Sequence, residues 1–471
     1  MFVLDSTSTH EASEGVRPLP PGPKGWPVIG SLPGVWKDPL TFFSQGRDRH
    51  GDTALFHFGP YRYVLIHKPE DVRHVLVRNH ANYHKSPTYI GLKLVMGDGL
   101  VTSEGDFWKR QRKLAQPAFH HRALVGLAEV MTRCTSEMLE DWSKAAGSGG
   151  LRRDLHEEMM RLTLRIVGHT LFSTELGDDA EQVGPAITVC LEHANRTAES
   201  LFVMPKWVPT PRNLRFQRQM RILDRMVEGI IEARRGGQEP AEPDLLSLLM
   251  SATDESGTDR MTDKQLRDEV MTLALAGHET TANTLTWTFV LLARHPSVLA
   301  RLRAEVDSVL AGRVATVEDL KSMPYTNQVL DESMRIYPSV WNVERVALED
   351  DVLDGYHIPK GTIVAVCPWT LHRHPKRWPS PKVFDPERFT DEAIAARDRW
   401  DFLPFGAGPR VCIGNAFAKM EAKLLLTSIL ARWDIELDPK AEIVAEAGIT
   451  LRPKHGVPVR LTPRSPSNRA P

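Results

Sequence analysis

The segment "FGAGPRVCIG", residues 405–414, places one cysteine in a loop of glycine, proline and arginine. Arg410 stands two residues before Cys412, and Gly414 two residues after it. An apolar stretch follows, with Phe417, Met420, Leu424 and Leu425 at helical core spacing. Cys412 is therefore expected at a helix N-terminus, where free N–H groups and the positive end of the dipole lower a thiol's pKa. A thiolate held there can ligate a metal, whereas an inert structural cysteine sits within an apolar element.

The second chemically capable stretch is Gly277–His278–Glu279–Thr280–Thr281, in the middle of a long helical pattern. Thr262 and Gln265 make a capping box at its start, and Pro296 stops it. A helix over 263–294 is about 48 Å long at the usual rise per residue. Its flanks are apolar on nearly all sides, so it is expected to run through the centre of the molecule. A glycine and hydroxyls at its midpoint weaken the helical ladder and invite a local bulge or a bound water. Buried helix interiors rarely tolerate such a cluster without a use for it.

The surrounding chain must position these two stretches. Its 471 residues suffice for a large core. Lys plus Arg number 59 against 60 acids, which gives no global pull toward nucleic acid. Cys134, Cys190, Cys367 and Cys412 lie far apart without a CxxC, so neither a disulfide framework nor a zinc cluster is signalled. A reducing cytoplasm fits that usage. The first 22 residues hold no apolar core of signal-peptide length, and with no run of 18 apolar residues a transmembrane anchor is not expected.

Residues 1–16 read as a disordered N-terminus, and "RPLPPGPKGWPVIGSLP" as a stiff segment. "TALFHFG" and "YRYVLIH" flank Gly59–Pro60 as a hairpin. From 103 to 336 the pattern is helical almost throughout, with a surface loop at 234–244. Short strands in "GTIVAVC" and "GVPVRLT" mix with the helix after Cys412. The expectation is a mainly α fold with a minor β region. Residues 17–465 form a single domain, followed by a tail at 466–471.

Five positions match the pattern FxxGxRxCxG: Phe405, Gly408, Arg410, Cys412 and Gly414. "AGHETT" matches [AG]Gx[DE]T[TS]. "ESMR" supplies Glu332 and Arg335, "PERF" covers Pro386 to Phe389, and "WKRQR" supplies Trp108 and Arg112. With these motifs in this order, the chain resembles the cytochrome P-450 superfamily of haem-thiolate monooxygenases, of the soluble bacterial type. The resemblance implies a fold in which haem lies between the long central helix and the cysteine loop.

It also implies residue roles. Cys412 would be the axial ligand of haem iron. Trp108, Arg112, Arg410 and Arg345 would hold the haem propionates, with Phe405, Gly408 and Gly414 shaping the thiolate side. Gly277 would make room for dioxygen, while Thr280 and Glu279 would deliver protons as an alcohol–acid pair. Glu332, Arg335 and Arg388 would form a buried structural ion-pair network. His372 and His374 are expected to be ordinary satisfied histidines.

The cofactor implied is haem b, with dioxygen as co-substrate. Electrons would come from NAD(P)H through a separate ferredoxin, flavodoxin or flavoprotein reductase. Lys109, Arg110, Lys113 and Lys419 are candidates for a basic docking face. The substrate would be a hydrophobic fatty acid, terpenoid or steroid-like molecule. Candidate lining residues are Tyr89, Leu92, Phe202, Met204, Val340, Trp341, Ile449 and Thr450. A monomer that binds no nucleic acid is expected. Two other readings are a peroxide-using or rearranging haem-thiolate enzyme and a non-catalytic haem- or ligand-binding protein. A retained alcohol–acid pair argues against both.

Overall fold

Apolar residues on both sides of Gly59–Pro60 give the expected hairpin. Strands Thr53–Phe58 and Tyr61–Ile66 pair antiparallel with Phe58 opposite Tyr61, and Gly59 takes a φ of 57° in the turn. The architecture comes from a computed structural model describing residues 17–147, 150–173, 180–198, 200, 204–238, 240, 244–253 and 260–464. For residues 121–123, 180 and 181 only the backbone is described. The expected disordered N-terminus and C-terminal tail lie outside the described residues, as does Phe202.

The hairpin continues into a five-stranded sheet drawn from three parts of the chain. Ile363–Val366 runs parallel to Tyr61–Ile66 and antiparallel to Val343–Ala347. Val343–Ala347 in turn pairs with Tyr83–Lys85, which sets Lys85 opposite Arg345. A second sheet joins Leu151–Asp154, Pro458–Pro463 and Trp433–Leu437. Its first strand is an exception within the almost wholly helical stretch 103–336. Leu151–Asp154 is extended because Pro458–Pro463, some three hundred residues away, supplies its hydrogen bonds, and no local pattern announces that partner.

The rest is helical and built around Asp263–Arg294. Thr262 Oγ1 accepts from the Gln265 N–H, and Gln265 Oε1 accepts from the Thr262 N–H, so both halves of the capping box form. Helix Leu155–Phe172 packs along this helix, as do Pro324–Ile336 and Asn415–Arg432. Leu266, Val270, Leu275, Leu285, Trp287, Phe289 and Val290 bury its faces in one large apolar core.

The anticipated bulge at Gly277 is absent. The helix continues unbroken through 276–281, where Thr280 Oγ1 donates to the Ala276 carbonyl at 2.7 Å and Thr281 Oγ1 to the Gly277 carbonyl at 3.2 Å. The loop expected at 234–244 also begins later. Arg234 ends up buried in helix Pro211–Arg235, where it donates to the Phe172 carbonyl at 2.7 Å and pairs with Asp244. Among the described residues, no helix is long and apolar enough to cross a membrane.

Candidate active site

The cysteine loop is shaped by its glycines before any charge acts. Gly408 sits at φ 71°, in the left-handed region, and a Cβ there would lie 2.0 Å from the Leu76 carbonyl oxygen. This permits the tight turn Gly408–Arg410, after which the Cys412 N–H donates to the Phe405 carbonyl at 3.0 Å. Helix Asn415–Arg432 starts three residues on, capped by Gly414.

Cys134, Cys190 and Cys367 are buried, whereas Cys412 is exposed. Yet burial is the largest influence on the Cys412 thiol and pushes its pKa up, against the Gly414 N–H and the Arg112 charge. Cys412 is an exposed residue whose thiol is nonetheless desolvated by the protein around it. The expected fall in pKa is thus corrected in direction, because desolvation outweighs the helix start and the nearby cation.

Helix Gly105–Ala115 brings Trp108 and Arg112 to this loop, where Arg112 Nη1 donates to the Val411 carbonyl at 3.0 Å. The Arg410 guanidinium lies 4.1 Å over the Trp108 ring, donates to the Ser103 carbonyl at 2.9 Å and pairs with Glu104. Burial, opposed by Glu104 and assisted by Arg345, lowers Arg410 to about 10. Arg345 is itself buried and close enough to Tyr89 to bear on its hydroxyl.

Sequence reasoning missed Lys85. Its ammonium lies 4.6 Å over the Tyr89 ring, and burial drives its pKa well down, with Arg345 and Arg410 pushing the same way and only Glu104 opposing. Lys85 and Arg345 face each other across two strands, an arrangement that is unfavourable alone. Lys85, Arg345 and Arg410 therefore crowd an enclosed space with too few carboxylates to balance them. They fit a group that carries its own carboxylates, beside a sulfur able to bind a metal. Among the described residues, no cluster of three or more His, Cys, Asp or Glu offers an alternative metal site.

Behind the loop, Arg335 grips Glu332 through two bonds, at 2.6 Å and 2.7 Å, with both residues fully buried. The remaining Arg335 donors reach the carbonyls of His372, Pro381 and Val383. Arg388 completes the network 3.6 Å from Glu332. His372 Nε2 accepts from the Leu403 N–H at 2.9 Å, and His374 Nε2 pairs with Asp52 at 2.7 Å, so each ring is tied to the protein through one nitrogen.

Across the core, Gly277, Glu279 and Thr280 occupy one turn of the long helix. A Cβ at Gly277 would meet only Val167 Cγ2, at 3.4 Å. Glu279 is buried and accepts from Thr450 Oγ1 at 2.7 Å, while Ser339 Oγ donates to the Thr280 carbonyl at 2.9 Å. Thr450 is therefore a polar partner of the acid, not apolar lining. Met204 is also unsuited to a lining, being 58% exposed on the surface. Trp341 packs near Phe43 and donates to the Gly448 carbonyl at 2.7 Å. Leu92 and Ile449 are half-buried against the main core, and Val340 is exposed. Close to Met204 in sequence, Trp207 walls a groove of about 1130 Å³ together with Ile90, Leu94, Phe216 and Met220.

The candidate docking cations are engaged locally. Lys109 pairs with Asp106 and Lys419 with Asp331, both at 2.9 Å, while Arg110 donates to the Arg260 carbonyl at 3.0 Å.

Known proteins resemble this chain over nearly its whole length. The family model described as Cytochrome P450 matches residues 20–457. Cyclooctat-9-en-7-ol 5-monooxygenase of Streptomyces melanosporofaciens is 35% identical over 92% of this chain and 93% of that protein. Pentalenene oxygenase of Streptomyces avermitilis is 34% identical over 94% of this chain and 97% of its own. The crystal structure of the cytochrome P450DA heme domain superposes with a TM-score of 0.88 at 28% identity, covering 97% of this chain and 100% of that one.

Proposed function

We infer how the site works from one premise: the chain belongs to the cytochrome P450 family and is a haem-dependent monooxygenase that acts on a hydrophobic small molecule. When bound, haem supplies the activation of dioxygen that places one oxygen atom in the substrate. Every other task falls to the chain. Cys412 would ligate the iron from the loop that leads into helix Asn415–Arg432. Arg112, Arg345, Arg410 and Lys85 hold the haem carboxylates, with Trp108 stacked beneath Arg410. Phe405, Gly408 and Gly414 shape the loop so that backbone can approach the ring.

On the opposite side Gly277 leaves room beside the long helix, Glu279 holds a proton-exchanging carboxyl, and Thr280 hands protons inward. The two electrons come from NAD(P)H through a separate ferredoxin, flavodoxin or flavoprotein reductase. The side bearing Lys109, Arg110, Lys113 and Lys419 receives that partner. The substrate is a terpenoid, as the names of both relatives suggest. A monomer completes the reading, in the cytoplasm, a compartment that the four free thiols support.

The observation that carries this reading is the group of Lys85, Arg345 and Arg410, which has Glu104 as the carboxylate opposing Lys85 and Arg410, with Arg410 on the loop that carries the exposed Cys412. The test is the reduced carbon monoxide spectrum. Wild type is expected to show the strongly red-shifted Soret band of a thiolate ligand, and Cys412→His to lose it. Persistence of that band in Cys412→His would move the ligand to another cysteine and overturn the assignment.

A further inference from the structure

Glu279 is the inner end of a line of hydrogen bonds that nothing in the motifs accounts for. Thr450 Oγ1 donates to Glu279 Oε1 at 2.7 Å, Asn283 Nδ2 donates to Thr450 Oγ1 at 3.1 Å, and His156 Nε2 meets Asn283 Oδ1 at 3.0 Å. Glu279, Thr450 and Asn283 are buried, whereas His156 is half-exposed at the start of helix Leu155–Phe172. The line thus connects the acid to the edge of the core through three separate chain segments.

Its polarity is dictated by the acid. Thr450 Oγ1 gives its single proton to Glu279 Oε1. Thr450 must then accept from the amide nitrogen of Asn283, which turns the amide oxygen toward His156. His156 must therefore carry its proton on Nε2. Each hydrogen bond is directed by the one before it, and the whole line favours one orientation of Glu279.

The line is also held from outside. Thr450 lies in the turn 448–451, pinned by Trp341 Nε1 donating to the Gly448 carbonyl at 2.7 Å and by Trp287 Nε1 donating to the Leu451 carbonyl at 3.0 Å. The Leu451 N–H donates to the Ser339 carbonyl at 2.9 Å, and Ser339 Oγ in turn donates to the Thr280 carbonyl. The turn therefore meets the helix at Glu279 directly and at Thr280 through Ser339.

We propose that Thr450, Asn283 and His156 are positioning residues of the monooxygenase reaction: they fix the Glu279 carboxylate in the orientation from which it serves Thr280. This rests on the role given to Glu279 above. Burial lowers the pKa of His156, with Arg452 acting the same way and Asn283, Asp154 and Glu279 opposing, so the ring is neutral near pH 7 and offers one N–H. The other titratable group beside Glu279 is His278, whose Nδ1 is engaged with the Ala274 carbonyl at 3.1 Å.

Two measurements test the proposal on the haem-loaded protein. In ¹⁵N-histidine-labelled protein, in the diamagnetic ferrous carbon monoxide state, the His156 signal is identified by its loss in His156→Gln. It is expected to be the Nε2–H tautomer; the Nδ1–H tautomer would overturn the proposal. In turnover, Thr450→Val and Asn283→Asp are expected to lower product formed per NAD(P)H at least threefold with KM unchanged, and Thr450→Ser to restore it. Asn283→Asp acts by setting a second acceptor-only group against the Thr450 hydroxyl.

A normal carbon monoxide band in each variant shows that it has folded around haem. If Glu279→Gln lowers coupling while Thr450→Val does not, the line is refuted and the role of Glu279 stands. If Glu279→Gln leaves coupling intact, the role of Glu279 fails and the proposal with it.

Discussion

The two sides of the site are held together in different ways. The cysteine side is a convergence of charge. Arg410 reaches Ser103 and Glu104, Arg112 reaches Val411, Lys85 faces Arg345, and Arg335 alone ties Glu332 to three carbonyls from 372 to 383. The side at Gly277–Thr280 is mostly helix bonding to itself, with Thr280 and Thr281 each donating back one turn. Cross-chain contacts there come through Thr450 and Ser339 alone among its polar partners described above. Substitutions on the cysteine side should therefore cost structure and haem retention. Those on the helix side should cost chemistry while leaving stability nearly alone.

The largest effect is expected for Arg335→Leu. It leaves Glu332 charged and buried without its partner and strips donors from three carbonyls, at a cost of about 3–5 kcal/mol. Urea unfolding of the variant should show that loss, and a change under about 1 kcal/mol would mean the network contributes little to stability. Gly408→Ala should come next. Its positive φ costs about 1–2 kcal/mol, and the methyl would collide with the Leu76 carbonyl. The yield of haem-loaded protein measures it, and an undiminished yield would show that the loop can shift.

Lys85→Met separates the two states of the cysteine side. Removing one of three crowded cations should make the haem-free protein more resistant to thermal unfolding. The loaded protein should at the same time surrender haem faster to apomyoglobin. If both states lost stability, the crowding described here would not be what Lys85 experiences.

A smaller effect comes from Glu421, on the helix after Cys412. Burial pushes its carboxyl from 4.5 up to about 8, with only the Thr281 hydroxyl pulling back. A raised folded-state pKa means stability is fully present below pH 4.5 and is lost as pH rises toward 8. The slope is about 1.4 kcal/mol per pH unit in that window. Glu421→Gln should flatten the fall in melting temperature between pH 6 and pH 8, and an equally steep fall would locate the pH dependence elsewhere.

The smallest stability change belongs to Thr280→Ala, within about 0.5 kcal/mol, since alanine is the better helix former. Its effect should appear in turnover instead, as less product and more hydrogen peroxide per NAD(P)H. Unaltered coupling would remove Thr280 from the proton path and erase the contrast between the two sides.

How much could be read from the chain differs between these sides in the same sense. The helix Asp263–Arg294 was legible to the residue, because Thr262, Gln265 and Pro296 act within a single turn of backbone. The Glu332–Arg335 pair was legible because three-residue spacing puts both on one helix face. Lys85 was not, since "YHKSP" looks like any polar stretch until the strand register sets it against Arg345. Thr450 entered the candidate lining through the family resemblance of its segment, and only the fold turns its hydroxyl to Glu279.

By itself the sequence determined the features that depend on short-range backbone geometry. These are the cysteine loop with its obligatory Gly408, the capped central helix, the hairpin at Gly59 and the mainly helical class. Tertiary structure alone decided whatever depends on which distant segments share a desolvated space. It made Leu151–Asp154 a strand, raised the Cys412 thiol rather than lowering it, crowded Lys85 against Arg345 and strung His156, Asn283 and Thr450 out from Glu279. The reason is one of range. Capping, turn conformation and helical periodicity act over a few residues, whereas burial and charge–charge energies depend on neighbours that only the packed chain brings within a few ångströms.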